Sequence, residues 1–346
     1  MIRVFVAAGL AVIVSWVGTK FLISLLTRHH VGQPIHEDVP DGHTTKAGTP
    51  TMGGIAIVVA AVLSYLVSGW LTRGTFTVRG LIVVTTIAGA GVVGLLDDWI
   101  KVRDERNLGL NKRAKMFGIL AVAIGFGVLM VTQTQQHTEL GFTRYGSIGW
   151  DLGKAGWVVW AVLLIASTAN GVNLTDGLDG LAAGSAIFAF SAFVVIGFWA
   201  FRNPTVYDVG FGLDLAVIAA TMVGACAGFL WWNAAPAQIF MGDTGSLAIG
   251  AGLACLALTT NTALLLPVIG ALFVAETLSV ILQVASFRLF GGRRIFRMAP
   301  IHHHFELAGW PETTVIIRFW MLSAACTAAG IGIFYRDFQA VTGTLT

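Results

Sequence analysis

Three consecutive histidines, His302, His303 and His304, lie inside a sequence that is otherwise almost continuously apolar. Polar side chains beside membrane-spanning segments are costly, so they usually serve a ligand or a partner group. Imidazole can donate or accept a hydrogen bond and can bind a metal ion. The block therefore predicts a chemically active site.

Two adjacent aspartates, Asp97 and Asp98, end an apolar segment in the sequence G-L-L-D-D-W-I-K. A carboxylate within a membrane costs about 2.5–3.5 kcal/mol on insertion scales unless it is solvated or paired. Neighbouring residues on a helix project about 100° apart, so the two side chains suit different partners. One could hold a metal ion while the other works on a proton or a cation. The alternative interpretation is an interfacial pair neutralised by Lys101.

A second acidic segment, N-G-V-N-L-T-D-G-L-D-G, places Asp176 and Asp179 three residues apart, with Asn170 and Asn173 about one turn earlier. The two carboxylates would share a face of a helix. Close helix packing can explain the glycines. It leaves two carboxylates and two amides at the end of an apolar segment unexplained.

A third segment, W-W-N-A-A-P-A-Q-I-F-M-G-D-T-G-S-L, contains Asn233, Phe240 and Asp243 just before an apolar helix predicted to begin near Thr244. Helix N-termini favour anions, and the flanking glycines allow a ligand to approach the backbone closely. Asp243 could instead be an ordinary N-cap. Phe240 could stack on a base, or it could simply pack.

Lysines near these segments could neutralise phosphate groups. Lys46, in H-T-T-K-A-G-T-P-T-M-G-G, lies among hydroxyls and glycines that suit phosphate oxygens, although the spacing of a P-loop is missing. Lys115 follows the aspartate pair, beside Lys112 and Arg113. The positive-inside bias of membrane proteins is the alternative explanation for this second group.

The elements that must position these residues are membrane helices. Hydrophobic residues make up 56% of the 346 and charged residues 11%, with a mean hydropathy of +0.79, which excludes an ordinary soluble domain. The three cysteines lie in apolar segments and show neither disulfide nor zinc spacing. We expect an all-α integral membrane protein with a single polytopic domain over 1–346. Its ten runs long enough to cross a bilayer are 3–26, 52–72, 80–98, 115–133, 155–172, 180–201, 209–232, 244–260, 263–287 and 314–335.

The distribution of positive charge predicts the orientation. If alternate loops are assigned to two sides, thirteen lysines and arginines fall on one side and seven on the other. The richer side is expected to be cytoplasmic, with both termini extracytoplasmic. The acidic segments and seven of the eight histidines fall on the cytoplasmic side, so we expect the site there. The net charge of +3 is too small to indicate nucleic acid binding.

Acidic clusters, lysines, histidines and helix openings on one membrane face fit phosphoryl transfer with a divalent metal. Mg²⁺ is commonly held by one or two carboxylates together with substrate phosphates and water. It neutralises the charge that develops on the transferred group. The residues by themselves lead to this reaction class and not to a substrate.

The same motifs resemble a known family. In order, K-A-G-T-P-T-M-G-G, L-L-D-D-W, N-L-T-D-G-L-D-G-L, F-M-G-D-T-G-S and A-P-I-H-H-H-F-E-L are similar to the motifs of the MraY family, the phospho-N-acetylmuramoyl-pentapeptide transferases. This family belongs to the polyprenyl-phosphate N-acetylhexosamine-1-phosphate transferase superfamily. The resemblance covers nearly the whole chain, and the histidine block distinguishes the muramoyl-pentapeptide branch.

The resemblance implies transfer of phospho-MurNAc-pentapeptide from its UDP carrier to undecaprenyl phosphate, giving lipid I and UMP, in a bacterial plasma membrane. It further implies a Mg²⁺ cofactor, a homodimer, nucleoside antibiotics as inhibitors and no nucleic acid partner. Asp243 would be the metal ligand, and Asp97, Asp98, His302 and His303 would join it in catalysis. The implied substrate-binding residues are Lys46, Lys115, Asn170, Asn173, Asp176, Asp179, Asn233, Phe240, Gln283 and His304.

Several alternatives remain open at this level. A sister transferase could use UDP-GlcNAc with the same lipid, and the stretch 299–312 would distinguish the two. An anion transporter should show an inverted repeat and sites near the midplane, and the sequence shows neither. A purely structural membrane protein would leave the carboxylates without a role. Direct attack by the lipid phosphate is favoured over a covalent aspartyl intermediate, because the nucleophile is already an anion.

We also expect a cytoplasmic cleft, a ninth span that is extended or bent toward Arg293 and Arg294, and a small extracytoplasmic β-hairpin within 133–154.

Overall fold

The computed structural model describes residues 1–28, 48–103 and 109–344. The described ranges contain no β-sheet and are dominated by helices. The helices are α1 (Ile2–Arg28), α2 (Gly54–Leu71), α3 (Val78–Arg103), α4 (Lys112–Gln133), α5 (Gly153–Thr175), α6 (Leu181–Arg202), α7 (Pro204–Tyr207), α8 (Gly212–Asn233), α9 (Gly242–Thr259), α10 (Leu266–Ile269), α11 (Ala271–Leu289), α12 (Ile301–Leu307) and α13 (Glu312–Thr342).

Ten of these helices, all except the short α7, α10 and α12, are long and apolar enough to cross a membrane, counting only the described residues. Each overlaps one of the ten runs expected from hydropathy. The prediction of an all-α integral membrane protein is therefore confirmed, and the chain is a multi-pass membrane protein. A helix satisfies its own backbone hydrogen bonds, which is what a lipid environment demands.

Helix α9 lies at the centre of the bundle and is almost wholly buried. It packs against α3, α5 and α2. Small residues allow this closeness: a methyl group on Gly54 would lie 2.0 Å from the backbone nitrogen of Gly245, and one on Gly250 would lie 2.5 Å from Cα of Ala169. Such contacts are how membrane helices gain dispersion energy in the absence of a hydrophobic effect.

A buried polar network closes the opposite end of the bundle from the acidic segments. Asp214, at the start of α8, lies 3.0 Å from the guanidinium of Arg3, and its other oxygen accepts hydrogen bonds from Tyr65 and Thr77. These groups tie the ends of α1, α2, α3 and α8 together. The acidic segments lie at the other end of the bundle. There the C-terminal ends of α3 and α5, which carry these segments, meet the N-terminal end of α9.

Two secondary-structure expectations need revision. The segment 133–154 forms only one isolated antiparallel bridge, between Glu139 and Asp151, rather than a hairpin with strands. Gly146 and Gly149 adopt positive φ between the paired residues, which interrupts a regular ladder. After α11, Gly291 and Gly292 also adopt positive φ. The ninth span therefore ends as a helix at Leu289 and does not extend to Arg293 and Arg294; the chain turns before them, and the bent form of the expectation stays a prediction.

Candidate active site

Asp243 is the centre of a buried acidic cluster. Its Oδ2 lies 2.6 Å from Nζ of Lys101 and 2.7 Å from Nζ of Lys115, and its Oδ1 accepts a 2.5 Å hydrogen bond from Asn173. Asn173 also donates to Ser246, one turn into α9. The side chain of Asp243 does not cap its own helix, so its carboxylate points toward α3, α4 and α5 instead.

Asp98 of α3 caps the N-terminus of α9. Its oxygens accept the backbone N–H groups of Asp243 at 3.0 Å and Thr244 at 2.9 Å, and the hydroxyl of Thr244 at 2.7 Å. A carboxylate at this position satisfies unpaired N–H groups and favours the positive end of the helix dipole. Asp98 thus holds Asp243 in place through the backbone.

Asp97 faces other partners. One oxygen accepts the backbone N–H of Leu110 at 2.9 Å, and the other lies 2.6 Å from Nζ of Lys101. The two aspartates therefore diverge, as their helical spacing requires. The alternative interpretation, in which Lys101 neutralises the aspartate pair, is also present in the structure. Because Lys101 contacts Asp243 as well, this lysine is part of the site.

The donor set fits a divalent cation. Asp97, Asp98 and Asp243 each offer an oxygen within 4.8 Å of the others. Lys101 lies at the point where the oxygens of Asp97 and Asp243 converge, which shows that a cation is favoured there. Hard oxygen donors of this number are typical of Mg²⁺ sites completed by substrate phosphates.

Asp176 and Asp179 occupy the connection between α5 and α6. Loss of water and the negative charges of Asp243, Asp98 and Asp179 raise the pKa of the Asp176 carboxyl well above its usual value. Asp179 accepts the backbone N–H of Ala237 at 2.9 Å. Asp179 therefore joins this connection to the loop before α9, whereas Asp176 lies in the electrostatic field of the acidic cluster.

The loop before α9 is fixed by Asn233 and by a neighbouring segment. Asn233 donates to the carbonyl of Ile239 at 2.9 Å. The backbone of Phe240 pairs with Pro50 at 2.8 Å and Gly53 at 2.9 Å, which brings the end of the Lys46 motif beside α9. The Phe240 side chain is half-buried, so part of the ring stays accessible. Lys46 itself lies outside the described residues, and its role stays a prediction.

The histidine block forms α12, and its three rings have different surroundings. His302 is fully buried, with Nδ1 3.1 Å from Oε2 of Glu276. His303 Nδ1 lies 2.7 Å from Glu306. His304 Nδ1 accepts the backbone N–H of Arg297 at 3.1 Å.

Gln283 and Asn170, like Asp179, Asn233 and His304, were expected to bind substrate but have side chains that hydrogen-bond to the backbone. Gln283 donates to the carbonyl of Phe296 at 2.9 Å and accepts the N–H groups of Ile295 and Phe296, both at 3.0 Å. Asn170 donates to the carbonyl of Ala166 in its own helix. Their roles toward a substrate stay predictions. In the structure they stabilise the loop after α11 and the end of α5.

Sequence reasoning gave no catalytic or binding role to several residues of this region. Lys101 entered only as a neutralising partner, although its ammonium group lies within 4 Å of an oxygen of each of the three clustered carboxylates. Thr244 and Ser246 follow Asp243 by one and three residues, and helical spacing would have found Ser246. Glu276 lies within an apolar run, where a carboxylate is itself a signal.

Replacing Asp98 with alanine should lower the thermal stability more than the same change at Asp97. The first change leaves two backbone N–H groups of α9 and the Thr244 hydroxyl without their acceptor, a loss of about 1–3 kcal/mol per buried group left unpaired. The second removes one backbone contact and one partner of Lys101. Thermal unfolding of both purified variants in detergent would check this. Equal melting temperatures would contradict the capping role.

The fold and the site define a multi-pass membrane protein with a buried acidic cluster and two lysines at one end of its bundle. The model of glycosyl transferase family 4 matches residues 80–261, and a phospho-N-acetylmuramoyl-pentapeptide-transferase signature matches residues 46–58.

Curated relatives point to one family of transferases. Phospho-N-acetylmuramoyl-pentapeptide-transferase of Frankia alni is 50% identical, over 97% of this chain and 98% of its own. The Frankia casuarinae protein is 51% identical, over 98% and 99%, and the Streptomyces avermitilis protein is 47% identical, over 98% and 99%. The chain belongs to the phospho-N-acetylmuramoyl-pentapeptide-transferase family.

Proposed function

We propose that this protein transfers phospho-MurNAc-pentapeptide from UDP-MurNAc-pentapeptide to undecaprenyl phosphate, forming lipid I and UMP. The observation that carries the proposal is the convergence of Asp97, Asp98 and Asp243 with Lys101 and Lys115 at the N-terminus of α9. Membership of the family supplies the substrate class. A charged nucleotide and a membrane-bound lipid phosphate can meet only where such a site opens at the membrane surface.

Bond formation and cleavage balance without an additional reactant. An oxygen of the lipid phosphate attacks the β-phosphorus of the UDP-sugar, and the bond from that phosphorus to the bridging oxygen of UMP breaks. Lys101 and Lys115 hold positive charge beside Asp243, where phosphate oxygens need it. A Mg²⁺ held by Asp243 with Asp97 would add charge neutralisation. Direct attack needs positioning more than covalent help.

The remaining site residues fall into three groups. Asn173 orients Asp243, while Asp176, whose pKa is raised by burial and by the negative charge of Asp243, lies beside the acidic cluster. Asp179, Asn233 and Phe240 shape the wall beside α9, where the half-buried ring suits a uracil base. Family resemblance assigns Lys46, Gln283 and His304 to substrate binding, and His302 and His303 to the catalytic group.

The orientation and assembly belong to the same proposal. The acidic end of the bundle is taken as cytoplasmic and both termini as extracytoplasmic, since loops on that side carry the excess of lysine and arginine. A homodimer, and inhibition by nucleoside antibiotics that occupy the uridine pocket, follow from the family.

UMP release by the purified protein should require UDP-MurNAc-pentapeptide, undecaprenyl phosphate and Mg²⁺, and it should stop with EDTA and return with excess Mg²⁺. Metal removal leaves three clustered carboxylates to face the substrate phosphates, so repulsion replaces neutralisation. Coupled detection of UMP measures the result. Turnover of UDP-GlcNAc in place of the pentapeptide substrate would move the chain to the sister transferases, and turnover in EDTA would contradict the metal site.

A further inference from the structure

Glu276 is a fully buried carboxylate within the membrane-spanning α11. Its Oε2 lies 3.1 Å from Nδ1 of His302, which is equally buried. Among the described residues, neither oxygen of Glu276 and neither ring nitrogen of His302 has an aligned hydrogen-bond partner, so the 3.1 Å approach of the two side chains is an ion-pair contact. A buried carboxylate in a membrane helix is expensive unless a partner compensates it, so each residue accounts for the burial of the other.

The other edge of the His302 ring is equally confined. A methyl group on Gly177 would lie 2.4 Å from Nε2 of His302. The imidazole is therefore held between α11 on one side and the connection from α5 to α6 on the other. A side chain at position 177 would therefore have to displace the buried ring, because protein interiors are closely packed.

This contact joins the histidine block to the acidic site. Gly177 lies between Asp176 and Asp179. The backbone N–H of Asp179 donates to Glu312 at 3.2 Å, and its carboxylate accepts the N–H of Ala237. A displacement of the His302 ring would therefore move the segment that carries Asp176, and with it the wall beside α9.

We propose that Glu276 is a positioning residue, whose carboxylate pairs with the Nδ1 edge of His302 and holds this ring against Gly177 so that the segment 176–179 is fixed for the nucleotide sugar. Carboxylate–histidine pairs elsewhere set the tautomer and the orientation of the ring in this way. His302 then acts through its position, because its ring is sealed from solvent. The identity of the substrate in this inference rests on the proposed function. The contact between Glu276 and His302 rests on the geometry alone.

The test compares Glu276→Gln with Glu276→Met. Glutamine keeps an oxygen acceptor for Nδ1–H and should retain turnover close to that of the unaltered protein. Methionine has a similar size without a strong acceptor. It should raise the KM for UDP-MurNAc-pentapeptide roughly 10-fold to 100-fold, the usual effect of losing such a partner, and leave the KM for undecaprenyl phosphate unchanged. The matched control is Ser279→Ala, a buried position of α11 whose hydroxyl donates to the carbonyl of Glu276 and has no other hydrogen-bond partner in the described part of the chain.

Gly177→Ala approaches the same contact from the other side. It should raise the same KM, and combined with Glu276→Met it should add little further effect, because both changes release one ring. Equal KM changes for both substrates would overturn the proposal, as would a Glu276→Met protein that is folded and kinetically unaltered. Fully additive effects of the two changes would also overturn it.

A readout independent of turnover separates this inference from the function. In protein labelled with ¹⁵N-histidine, NMR should show His302 with its proton on Nδ1, and this signature should be lost in Glu276→Met and kept in Glu276→Gln. A proton on Nε2 in the unaltered protein would overturn the positioning role. If the unaltered protein failed to turn over the pentapeptide substrate, the proposed function would fail, while the NMR result would still decide the contact.

Discussion

Asp243→Asn should reduce UMP release by roughly 10²–10³-fold, the usual cost of removing one preorganised charge from a reaction site. The substitution keeps the size of the side chain and removes the charge that faces Lys101 and Lys115. Two ammonium groups would then repel each other beside a neutral amide, and the proposed metal would lose its principal ligand. Both substrates would be bound less well in the transition state.

The control for this change is Asp208→Asn at the other end of the bundle. Asp208 is exposed, lies 3.0 Å from His137 and has φ of 46°, a conformation that asparagine tolerates. Turnover should stay within about twofold, because surface changes usually alter free energies by under about 0.5 kcal/mol. UMP release and thermal unfolding should be measured on both proteins. An active Asp243→Asn enzyme would refute the central place given to this carboxylate.

Hydropathy alone was sufficient to predict the ten spans, since a membrane leaves few alternatives to a run of about 20 apolar residues. Alternation of the spans then brings the ends of α3, α5 and α9 to one side, so the acidic segments could be grouped before their contacts were known. The hairpin was predicted less well, because its pairing depends on positive-φ glycines whose effect on register is not visible in an alternating pattern.

Partner choice within the site could not be predicted. Asp97 and Asp98 are adjacent and chemically identical, yet one faces Lys101 and Leu110 and the other caps α9. That difference arises from where α9 begins relative to α3. This is a feature of the tertiary structure that the local sequence does not reveal. The same holds for the histidines, since only the approach of α11 shows that His302 is buried against Glu276. Residue types were enough to predict a polar site. Only the structure distinguishes residues that can contact the substrate from residues that hold others in position.

The position of α3 against α9 depends on Gly94, one turn before the aspartate pair. A methyl group there would lie 2.2 Å from the carbonyl oxygen of Asp243 and 2.5 Å from the backbone nitrogen of Thr244. These are backbone atoms of a central, buried helix, so they cannot rotate away as a side-chain tip would. The absence of a side chain at Gly94 is what lets Asp98 reach the first N–H groups of α9.

Gly94→Ala should therefore force the two helices apart, at a cost of about 1–3 kcal/mol for overpacking, and lower turnover by about 10²-fold through misplacement of the carboxylates. Gly125→Ala in α4 is the matched control, because a methyl group there meets nothing within 4 Å. That change should be neutral or should stabilise the helix by up to about 1 kcal/mol. Melting temperature and UMP release of the two variants decide the matter. If Gly94→Ala behaved like Gly125→Ala, the close approach of α3 to α9 could not be what aligns the site.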